Sequence, residues 1–171
     1  MRRFAVSMLA LVVAGTLATP AARAEEAKDQ AALAKALAAA KVSLEKALSA
    51  SQREGKPISG KFEIGDDGKL QLSVYTAKGD KFSEVIVDHA TGTVEKAEAI
   101  TSGEDLEAAK AQIAAMAKAR LGLDKAVSKA VYANRGYRAV SVFPSLKDGH
   151  PVAEITLYKG EDWKTVTENL D

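Results

Sequence analysis

The sequence predicts an α+β fold of two tandem units, each a helix or helix pair packed on a three- to four-stranded antiparallel sheet. Three observations predict it. Shifting the chain by 81 positions lays Gly55 on Gly136, Phe62 on Phe143, Asp67-Gly68 on Asp148-Gly149, and Lys78-Gly79-Asp80 on Lys159-Gly160-Glu161. The same shift brings Val74 to Ile155, Phe82 to Trp163, Val85 to Val166 and Asp88 to Asn169. Turn glycines and buried-type residues recurring at one period mark a duplicated unit. Within each unit the apolar period then changes from helical to alternating just after the shared glycine, Gly55 or Gly136. Finally, tight-turn residues separate the alternating runs, as hairpins require.

The first segment is read as a signal peptide over 1–24. Arg2 and Arg3 form a positive start, Phe4 to Leu17 is an apolar run, and Pro20 with Ala22-Arg23-Ala24 offers a small-residue cleavage site before Glu25. The run is shorter than the roughly 20 residues of a spanning helix. The two arginines raise the twin-arginine route, but the pattern around them is weak, so ordinary secretion is the expectation. Localisation is then periplasmic or extracellular, with no membrane insertion after processing. Of the 24 basic residues, losing Arg2, Arg3 and Arg23 leaves 21 against 23 acidic ones in the expected mature chain, 25–171. That balance gives no electrostatic case for nucleic acid. The chain has no cysteine, which excludes disulfides, a lipoprotein thiol and thiolate-held metal.

Two units are expected after it, at 25–100 and 101–171, the second shortened at its C-terminus. Leu33, Leu37, Ala40, Leu44 and Leu48 lie three or four apart and form one helical stripe. Ser43 can act as an N-cap that splits this segment into two helices. In the second unit Leu121-Gly122-Leu123-Asp124 offers a breaker and an acidic cap, with Asp124 matching Ser43 at the same 81-residue shift. Ile58, Gly60, Phe62 and Ile64 share one side of a strand that ends at the Asp66-Asp67-Gly68 turn. Leu70, Leu72, Val74 and Thr76 alternate with Gln71, Ser73 and Tyr75, so the next strand has one covered and one open face. Lys78-Gly79-Asp80 turns into a third strand, Phe82 to Asp88. A hairpin through His89-Ala90-Thr91-Gly92 leads to a fourth, Val94 to Ile100, with the glycine supplying positive φ. The second unit repeats three strands and stops at Asp171, before any equivalent of that hairpin, so its sheet should be one strand shorter.

Ser43-Leu44-Glu45-Lys46-Ala47-Leu48, then Gly55, then Glu84-Val85-Ile86-Val87-Asp88-His89-Ala90-Thr91-Gly92-Thr93-Val94 resembles a PepSY domain. The resemblance covers about 42–99; the stretch at about 123–171 shares glycine and strand positions but lacks the hairpin. It implies a cystatin-like α+β unit, present twice. The tandem arrangement is also similar to the β-lactamase-inhibitor-protein architecture, a likeness of fold with little functional weight. PepSY domains of secreted peptidase precursors are implicated in holding the peptidase inactive. The resemblance therefore implies a peptidase-inhibitory or protein-binding role. With no peptidase on this chain, the implied partner is a separate protein, such as an exported peptidase.

The residues assign no catalytic, cofactor-binding or metal site. His89 and His150 fall in separate predicted turns, where a metal centre needs three or four converging ligands. Asp66-Asp67-Gly68 lacks the later ligands of a calcium loop. The serines have neither a histidine base nor a glycine elbow. A non-enzymatic binding protein with no cofactor is the expected class. A structural, oligomerising envelope protein is the second reading and a small enzyme with an unrecognised site the third. One feature points to a surface. Phe82 and Trp163 lie three residues before Val85 and Val166, an odd separation that turns each aromatic away from its valine. Either a β-bulge returns both to the core, or Phe82 and Trp163 join Tyr75 and Tyr158 as an exposed platform for a partner.

Overall fold

Leu44, Ala47, Leu48 and Ser51 lie on one face of a short helix and are all buried. Ser43 starts that helix by accepting a hydrogen bond from the Lys46 amide at 3.3 Å. The cap satisfies one amide that the first turn would otherwise leave without a partner. In the computed structural model, which describes residues 20–171, the helices are α1 (Pro20–Leu37), α2 (Leu44–Ser51), α3 (Gly103–Lys118) and α4 (Leu123–Ala133). The strands are β1 (Lys56–Ile64), β2 (Leu70–Lys78), β3 (Lys81–Val87), β4 (Val94–Ile100), β5 (Arg138–Lys147), β6 (His150–Lys159) and β7 (Asp162–Asn169). The Arg2-Arg3 start and the apolar run of the expected signal peptide lie outside the described residues. No described helix is long and apolar enough to cross a membrane.

The strands form one seven-stranded antiparallel sheet in the order β4-β3-β2-β1-β5-β6-β7. Two separate sheets were the sequence expectation; the first strand of each half instead pairs with the other. This central ladder is short, holding Gly60 against Val142 and Lys61 against Ser141. Basic side chains reinforce it on both sides. Lys56, at the start of β1, donates to the Met116 carbonyl in the last turn of α3 at 2.8 Å. Arg138, at the start of β5, donates to the Leu37 carbonyl that ends α1 at 3.0 Å. A cation at a helix C-terminus meets both a free carbonyl and the negative end of the helix dipole. Each half thus holds the leading helix of the other.

Helices α2 and α4 share one face of the sheet and pack on each other. Gly60 makes room for α2: a Cβ there would lie 3.2 Å from both Leu44 Cδ1 and Leu48 Cδ2. Beneath them lie Leu72, Val74, Val85, Val142, Ile155 and Leu157, all fully buried. Helix α3 contacts β1, β2, β5 and β6. Its ties to Tyr75 and Lys56, whose side chains are on the face opposite Val74, put it across the other side of the central strands. Residues 72–77 of β2 are therefore buried on both faces. The open face expected for β2 is closed, because α3 leaves the helix layer of its own half.

The repeat is real in its turns but shifted in its elements. Helices α2 and α4 bury matching residues 79 positions apart, Leu44 with Leu123 and Leu48 with Val127. The N-cap of α4 is Gly122, with no side-chain cap bond, and Asp124 sits inside the first turn. Gly60 opposes Val74 as Val142 opposes Ile155, so β1 and β5 correspond at 82 positions. Only β2 and β3 keep the 81-residue spacing to β6 and β7. Phe62 and Phe143 are consequently not equivalent: Phe62 is in the core and Phe143 is half-exposed. Gly55 and Gly136 also differ in role. A Cβ on Gly55 would sit 2.8 Å from the Ala77 carbonyl oxygen, whereas Gly136 has φ +87°.

The β3–β4 hairpin follows its sequence signal. The Asp88 carboxylate accepts from the Ala90 amide at 2.7 Å and the Thr91 amide at 2.8 Å. Gly92 has φ +81°. The amides of Thr91 and Ala90 hold the Asp88 carboxyl below the usual aspartate range. Among the described residues, β7 is the last strand of the second half.

Gly60→Val tests the packing at the centre. The added side chain meets both leucines of α2, and overpacking of this kind costs roughly 1–3 kcal/mol. Thermal denaturation should show a lowered midpoint. An unchanged midpoint would mean that α2 is free to move away from the sheet.

Candidate protein-binding surface

The four aromatic residues expected to form a platform divide into two pairs. Strands β2 and β3 pair without a bulge from Ser73–Ile86 to Lys78–Lys81, and β6 with β7 likewise from Val152–Asn169 to Lys159–Asp162. The bulges are elsewhere, in β1 between Pro57 and Ser59, in β5 between Ala139 and Ser141, and near Val87. Strand parity therefore holds: Phe82 and Trp163 do face away from Val85 and Val166. The bulge alternative does not apply to either residue.

Phe82 is nevertheless only 8% exposed and Tyr75 only 7%. They face the side that α3 covers. The Tyr75 hydroxyl donates to Asp105 Oδ1 at 2.8 Å, joining β2 to the first turn of α3. Burial, followed by the bond to Asp105, pushes the Tyr75 hydroxyl far above the ordinary tyrosine range. Glu84 stands opposite Tyr75 on β3. Desolvation raises its carboxyl above the ordinary glutamate range, Ser73 works in the opposite direction, and Glu63 raises it further. The Ser73 hydroxyl donates to Glu63 at 2.9 Å, and Lys61 pairs with the same carboxylate at 2.5 Å. This polar cluster belongs to the docking of α3. No local pattern announces that Asp105 meets Tyr75, because the two are 30 positions apart.

Tyr158 and Trp163 remain half-exposed. They are cross-strand neighbours on β6 and β7, with ring centroids 4.6 Å apart and planes tilted by 43°. Gly160, at φ +63°, makes the two-residue turn that sets them opposite each other. Direct cross-strand aromatic pairs hold each other's rotamers. Both rings pack against the margin of the core at the hairpin end of β6 and β7 and keep part of their surface exposed.

On the opposite side of this hairpin is a second cluster that sequence reasoning missed. The Tyr137 hydroxyl donates to the Asp162 carboxylate, and that bond is the main reason the Tyr137 hydroxyl is raised above its ordinary range. Lys164 Nζ rests 4.0 Å from the Tyr137 ring centroid, and Lys159 Nζ approaches the same ring at 5.7 Å. The signal was local only at Gly136, whose positive φ turns Tyr137 toward the hairpin.

The histidines do not converge. The His89 carbonyl accepts the amides of Lys41 and Val42, fastening the α1–α2 linker to the end of β3. His150 Nδ1 lies 3.0 Å from Asp171 Oδ2 at the chain end. Asp67 accepts from the Lys69 amide within its turn. Among the described residues no three His, Cys, Asp or Glu side chains are grouped to hold a metal ion.

Glu84 supplies a pH test. Its folded-state pKa is raised, so the folded chain holds that proton more tightly than the unfolded chain. The resulting stability is full below the ordinary glutamate value and is lost as pH rises through the raised folded value. Glu84→Gln should therefore be more stable than the parent at neutral pH, with the gap closing toward acid. Denaturant melts across the acid-to-neutral range measure this, and a gap that widens toward acid would contradict it.

Scanning against protein-family models gives no match, and neither the curated proteins nor the solved structures contain a matching relative.

Proposed function

We propose that this chain is an exported, non-enzymatic binding protein made of two PepSY-like units, 25–100 and 101–171, the second C-terminally shortened. It acts in trans on a protein partner, and an exported peptidase held inactive is the partner class that the resemblance implies. The observation that carries the binding role is the partly exposed Tyr158–Trp163 pair set across the β6–β7 hairpin. Large amphipathic rings fixed in one geometry lose little entropy on contact, which makes tryptophan and tyrosine frequent anchors of interfaces. The Ser43 cap, the helix before β1 and the Asp88–Gly92 hairpin support the PepSY-like reading of the first half. Tyr75 and Phe82, buried beneath α3, have no part in the proposed surface.

Trp163→Ala tests this. The loss of folding stability should stay below the roughly 3–5 kcal/mol of a fully buried tryptophan, because Trp163 is only partly buried at the edge of the core. Partner capture from an envelope extract should fall by about 2 kcal/mol or more, roughly 30-fold. Inhibition of the captured peptidase should fall with it. Unchanged capture, with the variant still folded, would remove Trp163 from the interface. Export has its own check. Intact mass of the secreted protein should correspond to a chain starting at Glu25, and full-length protein in the membrane fraction would refute the cleavage.

A further inference from the structure

We propose that the free edge of β7 pairs with the β7 edge of a second copy, giving a two-fold dimer centred on Val166. The reading is independent of the peptidase-binding role. In the first half, the outer edge of β3 is covered by β4. Strand β7 occupies the corresponding position in the second half and, among the described residues, it ends the sheet. The other end of the sheet is guarded differently. Strand β4 carries Glu95, Lys96 and Glu98 within seven residues, all exposed, as charged edge strands do to discourage pairing. Along β7 the exposed positions between Trp163 and Glu168 are Thr165 and Thr167.

Backbone alternation limits the registers. Lys159 and Asp162 close a two-residue hairpin, and such a turn closes on a hydrogen-bonded pair. The ladder with β6 then uses the backbone of 162, 164, 166 and 168, leaving that of Trp163, Thr165 and Thr167 directed outward. Two antiparallel copies must match outward-directed residues with one another. With Val166 opposite itself, Thr165 meets Thr167, and Lys164 meets Glu168 twice. Shifting one allowed step places Asp162 opposite Glu168, and one more places Lys164 opposite Lys164. A step the other way sets Val166 against Glu168 and shortens the ladder. Only the Val166-centred register is complementary in charge at both ends.

The side chains on the helix-bearing face fit this arrangement. Lys164, Val166 and Glu168 share the face of Leu157, Ile155 and Ala153. Glu168 already pairs with Lys129 of α4 at 2.6 Å, and a second cation, Lys164 of the other copy, completes its surroundings. Lys164 now rests on the Tyr137 ring, so its ammonium stands at the hairpin end of the edge. An isologous interface of this kind closes at two copies.

Molar mass by light scattering over a dilution series tests the proposal on the purified parent chain. A monomer–dimer equilibrium is expected. Thr165→Pro removes an outward amide and should yield monomer, with an unchanged far-UV circular dichroism spectrum. Lys164→Glu and Glu168→Lys should each be monomeric alone. Mixed in equal amounts they should form a dimer containing one of each, read by native mass spectrometry, because every opposed pair is then complementary. This mixing result also covers the case in which the proline variant misfolds. The proposal is overturned by a parent that stays monomeric throughout, by masses growing beyond two copies, or by a dimer lost to Ala97→Pro in β4. Failure of the mixed variants to associate would overturn it equally.

Discussion

The structure depends on the pairing of β1 with β5. Each half of the chain supplies only three or four strands and a short amphipathic helix, too little to bury a core of its own. Joining the first strands places α2 beside α4 and makes one apolar layer of Leu44, Leu48, Leu123 and Val127 over a continuous sheet. The joint is economical in hydrogen bonds, with two residue pairs in register. Its strength comes from what crosses it: Lys56 on α3, Arg138 on α1, and two helices packed over the seam. Gly60 lies at the middle because α2 and the neighbouring strand both need that space.

Helix α3 then breaks the symmetry. Helix α1 meets the sheet mainly through Leu33 and Leu37 near its end. Helix α3 lies along the reverse face, burying Ala109, Gln112, Ala115 and Met116. Small residues let it approach the strands closely, while Asp105 fixes its first turn on Tyr75. The same aromatic pattern therefore has opposite fates in the two halves. Phe82 and Tyr75 become core; Trp163 and Tyr158, at the β6–β7 hairpin, are only partly buried. A duplicated sequence feature can thus be buried in one half and partly exposed in the other.

Most local features were legible in the sequence because they depend on nearest neighbours. The Ser43 cap, the positive-φ turns at Gly68, Gly79 and Gly92, and the alternating strands follow from residues within a few positions of each other. That Phe82 and Trp163 face away from Val85 and Val166 was also readable, since it needs only strand geometry. What the sequence hid were contacts between distant segments. Nothing in Gly60-Lys61 or Ser141-Val142 announces that these two strands are neighbours. The alanine-rich stripe of α3 gives no indication of which sheet face it will cover. The single 81-residue shift concealed compensating length changes, with α4 three residues longer than α2 and the first strands offset by one. A uniform period across turns does not require uniform equivalence between them.

The ends of the sheet show how the two halves have diverged under one constraint. A strand edge exposes unpaired amides and carbonyls, and a sheet must cover, charge or use it. The first half covers the β3 edge with β4 and then charges β4. In the second half no described strand covers β7, and the residues after it fold back, with the Leu170 amide donating to the Pro151 carbonyl and the Leu170 carbonyl accepting from the amides of Arg120 and Leu121. That closure secures the tail and the α3–α4 linker while leaving the middle of β7 unpaired. Threonines there preserve strand propensity without adding an apolar surface. The central β1–β5 ladder shows that this sheet tolerates a two-fold strand pairing held by a short register and flanking helices. Strand β7, with α4 beside it and opposite charges toward its two ends, has the corresponding ingredients at the outer edge.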